Sequence, residues 1–170
     1  NWAIVTTTCS GKGCPMNRRT LLGRTAAFAL LAAARAGFAE ESFEYTLTEE
    51  EWRAKLTETQ YAVLREEDTE RAGSSPLDKV YDAGTYHCAG CDLPVYSSEA
   101  KYDSGTGWPS FFRPLPGAIG TTTDYKIGYP RTEVHCRRCG GHLGHVFDDG
   151  PRPTGKRYCM NGAAMVFIPA

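Results

Sequence analysis

Apolar positions in this chain change their period part-way along. Thr48 is followed three residues later by Glu51, and Trp52 and Leu56 then lie four apart. A hydroxyl and a carboxylate at that spacing each satisfy an orphan backbone N–H at a helix start, and residues four apart share one helix face. Thr57 and Gln60 repeat the arrangement ahead of Tyr61, Val63 and Leu64. The pattern predicts two short helices. From residue 80 the helical spacing disappears. Segments 84–88 and 93–96 read as short strands on either side of a Cys88-Ala-Gly-Cys91 turn, and 121–129, 131–136 and 144–147 as further strands. Segment 164–168 is apolar and partly β-branched, a core strand near the end. Between these lies a glycine-rich loop, Tyr102 to Trp108, that runs into Phe111 and Phe112. Glu66 to Ser75 is polar, either a surface wrap or part of a substrate rim, and nothing in it suggests chemistry. Short strands with frequent turn signals predict a mainly β, antiparallel domain with short N-terminal helices.

Charge divides the chain. Residues 1–39 carry Lys12, Arg18, Arg19, Arg24 and Arg35 and no acid, so residues 40–170 hold 14 basic and 20 acidic residues, net −6. A mildly acidic domain with no basic aromatic face is a poor nucleic-acid binder. Met16-Asn-Arg-Arg-Thr-Leu-Leu, an Ala/Leu run and Gly37-Phe38-Ala39 have the order of a signal peptide of the twin-arginine type. The expectation is a leader at 1–39, disordered, and one catalytic domain at 40–170. Such a leader implies a periplasmic or exported protein, and a cytoplasmic one if it is not a working signal. The alternative is an amphipathic N-terminal helix of the domain. Cys9 and Cys14 fall in the stretch ahead of Met16.

Cys88-Ala-Gly-Cys91 and Cys136-Arg-Arg-Cys139 share a two-residue spacing. One such turn presents two thiolates to one ion, and two turns make the tetrahedral four-sulfur set of a structural zinc site. Paired disulfides or free core thiols are the other readings. A thioredoxin-like redox motif wants a strand before it and a helix after it, and the segments around Pro94 offer neither. Disulfides form readily outside the cytoplasm, but twin-arginine export moves proteins already folded, so zinc and export are compatible. With four thiolates on one zinc, no position is left for a catalytic water.

Removing those four leaves Cys159 as the one further cysteine after residue 39. Lys156 and Arg157 precede it, and a nearby cation stabilises a thiolate nucleophile. A buried structural cysteine is the plainer reading. His142 and His145 in Gly-His-Leu-Gly-His can exchange protons near neutral pH, or can be hydrogen-bonded loop histidines. His87 and His135, each just before a cysteine pair, read as neighbours of the ligands or surface residues.

Three stretches together give a resemblance: Gly107-Trp-Pro-Ser-Phe111, His142-Leu-Gly-His-Val-Phe-Asp-Asp-Gly150 and Arg157-Tyr-Cys-Met-Asn161. They resemble the signature of the methionine sulfoxide reductase B family, from about Leu47 to Ile168. The resemblance implies two small antiparallel sheets with a four-cysteine zinc site away from the reaction centre, its ligands Cys88, Cys91, Cys136 and Cys139. It implies Cys159 as nucleophile and Arg157 as the residue that helps its thiolate form. Trp108 is similar to the ring that holds the substrate methyl group, with Phe147 a second substrate-side aromatic. His142, His145 and Asn161 are similar to the polar groups around the sulfoxide oxygen. The implied activity is reduction of methionine R-sulfoxide, preferentially peptide-bound, through a sulfenic acid. The implied partners are oxidised proteins or peptides and a thioredoxin-like or other thiol reductant. Structural zinc is the cofactor, no organic cofactor is needed, and a monomer is expected.

The chain departs from many relatives in its loop. Ser104-Gly-Thr-Gly-Trp108 has Thr106 where a resolving cysteine is common, so an external thiol must regenerate Cys159. Gly162-Ala163-Ala164 follows Asn161 where a serine is common, which is expected to alter packing under Asn161. A zinc-ribbon-like binding module with a structural Cys159 is the competing class. A zinc hydrolase is disfavoured by the four thiolates.

Overall fold

The computed structural model describes residues 42–170. The leader expected at 1–39, and its disorder, lie outside those residues. The two expected helices form as α1 (Glu49–Lys55) and α2 (Glu58–Glu66). Both capping boxes are present: the Thr48 hydroxyl accepts from the Glu51 N–H and the Glu51 carboxylate accepts in return, and Thr57 and Gln60 do the same. Nine strands follow among the described residues: β1 (Gly84–Cys88), β2 (Pro94–Ser97), β3 (Lys101–Tyr102), β4 (Ser110–Phe111), β5 (Ile119–Asp124), β6 (Arg131–Cys136), β7 (His142–Phe147), β8 (Arg157–Met160) and β9 (Met165–Pro169).

They make two antiparallel sheets, one ordered β2-β1-β9 and the other β3-β4-β8-β7-β6-β5. Aromatic rings join the two. Tyr86 of β1 and Tyr96 of β2 pack on Phe111 of β4, with Tyr96 stacked at 4.3 Å between centroids. All three are fully buried. Buried Trp52, Val63 and Leu64 of the helices belong to the same core.

One expected strand shortens, and β8, like β3 and β4, forms where no strand was expected. The segment 121–129 is too long: β5 ends at Asp124, and residues 125–128 turn back through Gly128 at φ 88°. Its Tyr and Ile have high strand propensity, but with nothing to cover them Tyr125, Ile127 and Tyr129 stay exposed. β8 carries no sequence signal, because its four residues include an arginine and two half-buried positions. The ladder to β7 makes it a strand.

One irregularity positions the site. His135 pairs with His142 and Val134 with Gly144, so Leu143 is an extra residue opposite the β6 ladder. Such a bulge breaks the two-residue alternation and re-aims side chains. His142 and His145 are three apart, yet their rings meet edge to face at 5.2 Å. Gly144 is needed here, since a Cβ would lie 2.2 Å from the Cys159 carbonyl oxygen.

Candidate active site

Cys159 lies in the middle of β8, opposite His145 on β7 and Ser110 on β4. Residues on alternate faces of β8 sort the chemistry. Tyr158 and Met160 serve the core, where the Tyr96 hydroxyl donates to the Met160 sulfur at 3.1 Å. Arg157 and Cys159 belong to the other face. A cleft of about 130 Å³ opens over Cys159, lined by Trp108, Phe147, His145, Asn161, Thr69, Arg131 and Gly144. The lining combines two aromatic rings, Trp108 and Phe147, with the nitrogen and oxygen groups of His145, Asn161 and Arg131. Trp108, Phe147, His145, Asn161 and Cys159 are thus brought together.

Arg157 sits beside this cleft and is shared. Its Nε and an Nη each donate to the Asp149 carboxylate at 2.8 Å, and its guanidinium covers the Phe147 ring at 4.4 Å. Asp149 raises the guanidinium pKa further, and the Cys159 sulfur adds to the effect. Lys156 pairs instead with Asp148.

The histidines are each held by a carboxylate that sequence alone does not single out. His145 Nε2 lies 2.8 Å from Asp124 Oδ2. Asp124 also takes the Lys126 backbone N–H at 2.6 Å and the Arg131 guanidinium. The Lys126 N–H, the His145 ring and Arg131 hold the Asp124 carboxyl well below the usual carboxylate range. Burial lowers the pKa of His145, and the Asp124 bond only partly opposes it. His145 is therefore neutral near pH 7. With an anion at Nε2, that nitrogen carries the proton and Nδ1 carries the lone pair.

His142 stands apart from the cleft lining. It is 2% exposed and packs against the His145 ring, with Nδ1 2.7 Å from Glu133 Oε1. Burial alone would push the Glu133 carboxyl up, but His142 and the Thr122 hydroxyl, which donates to it, bring it below its ordinary value. Glu133 pairs across β6–β7 with His145, and Thr122 pairs with Glu133 across β5–β6. The ladder thus builds a second layer under the first.

The polar segment 66–75 turns out to organise the rim. The Glu70 carboxylate accepts the Gly162 and Ala163 N–H groups at 2.5 and 2.9 Å. The Glu70 N–H donates to Asn161 Oδ1, and its carbonyl accepts from Trp108 Nε1, both at 3.1 Å. One residue therefore fixes Trp108 and Asn161. The departure after Asn161 also has a cause: a Cβ at Gly162 would lie 1.9 Å from Ser75 Oγ.

Cys88, Cys91, Cys136 and Cys139 form a separate buried cluster, all four sulfurs within 4.8 Å of one another. The closest pairs are Cys91–Cys136 at 3.5 Å and Cys88–Cys139 at 3.7 Å. Disulfides need about 2.05 Å between sulfurs, so the paired-disulfide reading is set aside. Four thiolates about 2.3 Å from one zinc lie roughly 3.8 Å apart. The donor set and spacing fit a structural zinc site. The turns are cross-tied, with Arg138 donating to the Cys91 carbonyl and Arg65 to the Cys139 carbonyl, each at 3.1 Å. His135 is buried and meets the Phe43 ring edge on at 5.8 Å; His87 bonds Asp92 and Thr85. Neither belongs to the four-sulfur cluster.

A family model, the SelR domain, matches residues 56–169. The chain belongs to the SelR domain family. It is 49% identical over 127 residues to the peptide methionine sulfoxide reductase MsrB of Leptospira interrogans, covering 74% of this chain and 97% of that one. To the protein of the same name in Agrobacterium fabrum it is 52% identical over 120 residues, 70% of this chain and 89% of the relative. To that of Bradyrhizobium diazoefficiens it is 52% identical over 123 residues, 72% and 88%. The family resemblance drawn from the three motifs is correct. The SelR match spans the whole cleft, the four-cysteine cluster, Glu70, Asp124 and Glu133.

Proposed function

We propose that this chain reduces methionine R-sulfoxide, preferentially in peptides, to methionine, with Cys159 as the nucleophile. The observation that carries the reading is the placement of Cys159. Among the described residues it is the one cysteine outside the four-sulfur cluster, and the cleft over it is lined by both aromatic and polar side chains. A sulfoxide has the matching shape, with an apolar methyl group and a polar oxygen on one tetrahedral sulfur. Trp108 and Phe147 take the methyl side; His145 and Asn161 take the oxygen. Fixing the methyl group and the oxygen on different side chains separates the two epimers.

The Cys159 thiolate attacks the sulfoxide sulfur while its oxygen becomes protonated. The S–O bond breaks as oxygen passes to Cys159, leaving a sulfenic acid and methionine. The thiol is oxidised by two electrons and the sulfoxide reduced by two. Neutral His145 takes up a proton from solvent at Nδ1, Asp124 stabilises the resulting imidazolium, and that proton passes to the sulfoxide oxygen, so that thiolate, sulfoxide and one proton become sulfenic acid and methionine. Arg157 favours the thiolate. His142 supports His145 from behind. Zinc on Cys88, Cys91, Cys136 and Cys139 supplies a cross-link that contributes to folding. An external thiol, of the thioredoxin type or smaller, condenses with the sulfenic acid to a mixed disulfide and water, and a second thiol, of the same dithiol or of another molecule, displaces Cys159 as its free thiol and leaves as the external disulfide. We further propose that residues 1–39 are an export leader and that the catalytic domain acts outside the cytoplasm as a monomer. The paired arginines and the weakly apolar run support that reading.

The test is an assay of both methionine sulfoxide epimers, in a blocked peptide, with dithiothreitol as reductant. The R epimer should be consumed and the S epimer left. Consumption of neither, or equal consumption in the Cys159→Ser protein, would overturn the proposal.

A further inference from the structure

Three hydroxyls form a continuous path from the backbone to the Cys159 sulfur. Ser110 Oγ donates to the Trp108 carbonyl at 3.0 Å. Ser104 Oγ lies 2.7 Å from Ser110 Oγ, and Thr106 Oγ1 lies 2.8 Å from Ser104 Oγ. Thr106 Oγ1 ends the path 3.7 Å from Cys159 Sγ. The path is built on fixed backbone. Ser110 stands directly across the ladder from Cys159. The Asp103 carboxylate accepts from the Gly105 N–H at 2.9 Å, and the Gly107 carbonyl accepts from the Gly73 N–H at 2.7 Å.

Each hydroxyl has one proton, so the direction of the path follows by counting. With Ser110 committed to the Trp108 carbonyl, the Ser104 proton must point to Ser110 and the Thr106 proton to Ser104. Thr106 then presents a lone pair to Cys159, and the thiol is the donor. Loss of the thiol proton to solvent reverses the requirement at the sulfur. Thr106 can serve the anion only by turning its proton away from Ser104. Ser104 then turns to Thr106, and Ser110 to Ser104. Three hydroxyl torsions rotate, no heavy atom moves, and no bond is made or broken.

We infer that Ser110, Ser104 and Thr106 form a reversible hydroxyl chain that accepts from the Cys159 thiol and donates to its thiolate, with Thr106 touching the sulfur and Ser104 a positioning residue. The other titratable or charged groups near Cys159 are His145 across the ladder, Arg131 in the lining of the same cleft and, by electrostatics, Arg157 with its partner Asp149 and Tyr102. Among these Arg157 supplies charge, whereas the hydroxyl chain supplies a directed proton. The inference uses the proposed role of Cys159 but does not depend on sulfoxide as substrate.

The test is iodoacetamide alkylation of the full chain, read at the Cys159 peptide by mass spectrometry from pH 5 to 10, with zinc content as the check of folding. Thr106→Val keeps the branched shape and removes the hydroxyl. It should slow alkylation near neutrality about tenfold and move the profile to the alkaline side, as loss of a hydrogen bond to a charged group does. Thr106→Ser should restore the wild-type profile. Ser104→Ala should move it in the same direction as Thr106→Val. Wild-type profiles in Thr106→Val or in Ser104→Ala would overturn the chain. Wild-type alkylation without sulfoxide reduction in the parent protein would instead count against the proposed reaction and leave the chain standing.

Discussion

His145 and Cys159 are direct cross-strand neighbours on β7 and β8. Opposed residues of an antiparallel pair have Cβ atoms about 4.5–5.5 Å apart. The proposed base and nucleophile are therefore held by a ladder rather than by a loop. Behind His145 the order continues to Asp124, so the three side chains come from three strands of one sheet.

That order makes Asp124 a test of proton handling. In the Asp124→Asn protein the imidazolium of His145 loses its counter-charge, and single-turnover sulfoxide reduction should fall about ten- to a hundredfold. The pH dependence has a defined sign. Burial lowers the folded-state pKa of His145, so the ring stays neutral below the ordinary histidine range. The wild-type rate should hold as pH falls through the ordinary histidine range and drop only on further acidification. Stability moves the same way. Unfolded His145 takes up its proton at a higher pH than folded His145, so unfolding gains as pH falls through the ordinary histidine range. Asp124, depressed by its partners, contributes stability above its unfolded pKa that is lost only as pH falls far into the acid range. Stopped-flow rates and urea midpoints across pH check both, and a rate that rises on acidification would contradict the assignment.

Glu70 should matter without touching the reacting atoms. Glu70→Ala removes the acceptor for two backbone N–H groups beside Asn161, a loss of about 2 kcal/mol of stability. Slackening of Asn161 and Trp108 should raise KM for a sulfoxide peptide more than it lowers kcat. Steady-state kinetics and a urea melt of the same protein separate the two effects.

The four-cysteine cluster should be indispensable to folding. Cys88→Ser leaves three thiolates, and metal content, solubility and the cooperative melt should be lost together, since zinc binding free energy is folding free energy. Elemental analysis should give one zinc per wild-type chain. A metal-free chain that stays folded and active would remove the structural role.

Much of this arrangement was legible in local patterns. Thr48, Glu51, Thr57 and Gln60 announce both helix starts because a capping box is a contact between residues three apart. The cysteine pairs announce the cluster because two-residue spacing is itself the turn that presents two sulfurs. The acidic residues that hold the histidines and Asn161 were not legible. Asp124, Glu133 and Glu70 lie 21, 9 and 91 residues from His145, His142 and Asn161. Nothing local marks them among 20 acidic residues. Only the β5–β6–β7 register and the wrap of residues 66–75 select them. His142 and His145 showed the reverse problem. A three-residue spacing on a strand puts two side chains on opposite faces, and it is the bulge at Leu143 that brings them together.

On the proposed reaction Cys159 takes the sulfoxide oxygen and, among the described residues, has no thiol outside the four-sulfur cluster to resolve it. The direct measurement is intact mass after one equivalent of methionine R-sulfoxide peptide, without reductant, on the chain carrying Cys9→Ser and Cys14→Ser. The account predicts methionine peptide in equal amount, a gain of one oxygen on the protein, trapping of that oxygen as a sulfenic acid by a dione reagent, and no gain in Cys159→Ser. An unchanged protein mass with the sulfoxide intact would contradict the reaction. A loss of two hydrogens with release of zinc would show instead that a cysteine of the four-sulfur cluster resolves Cys159, and that the two sets of thiols are not separate.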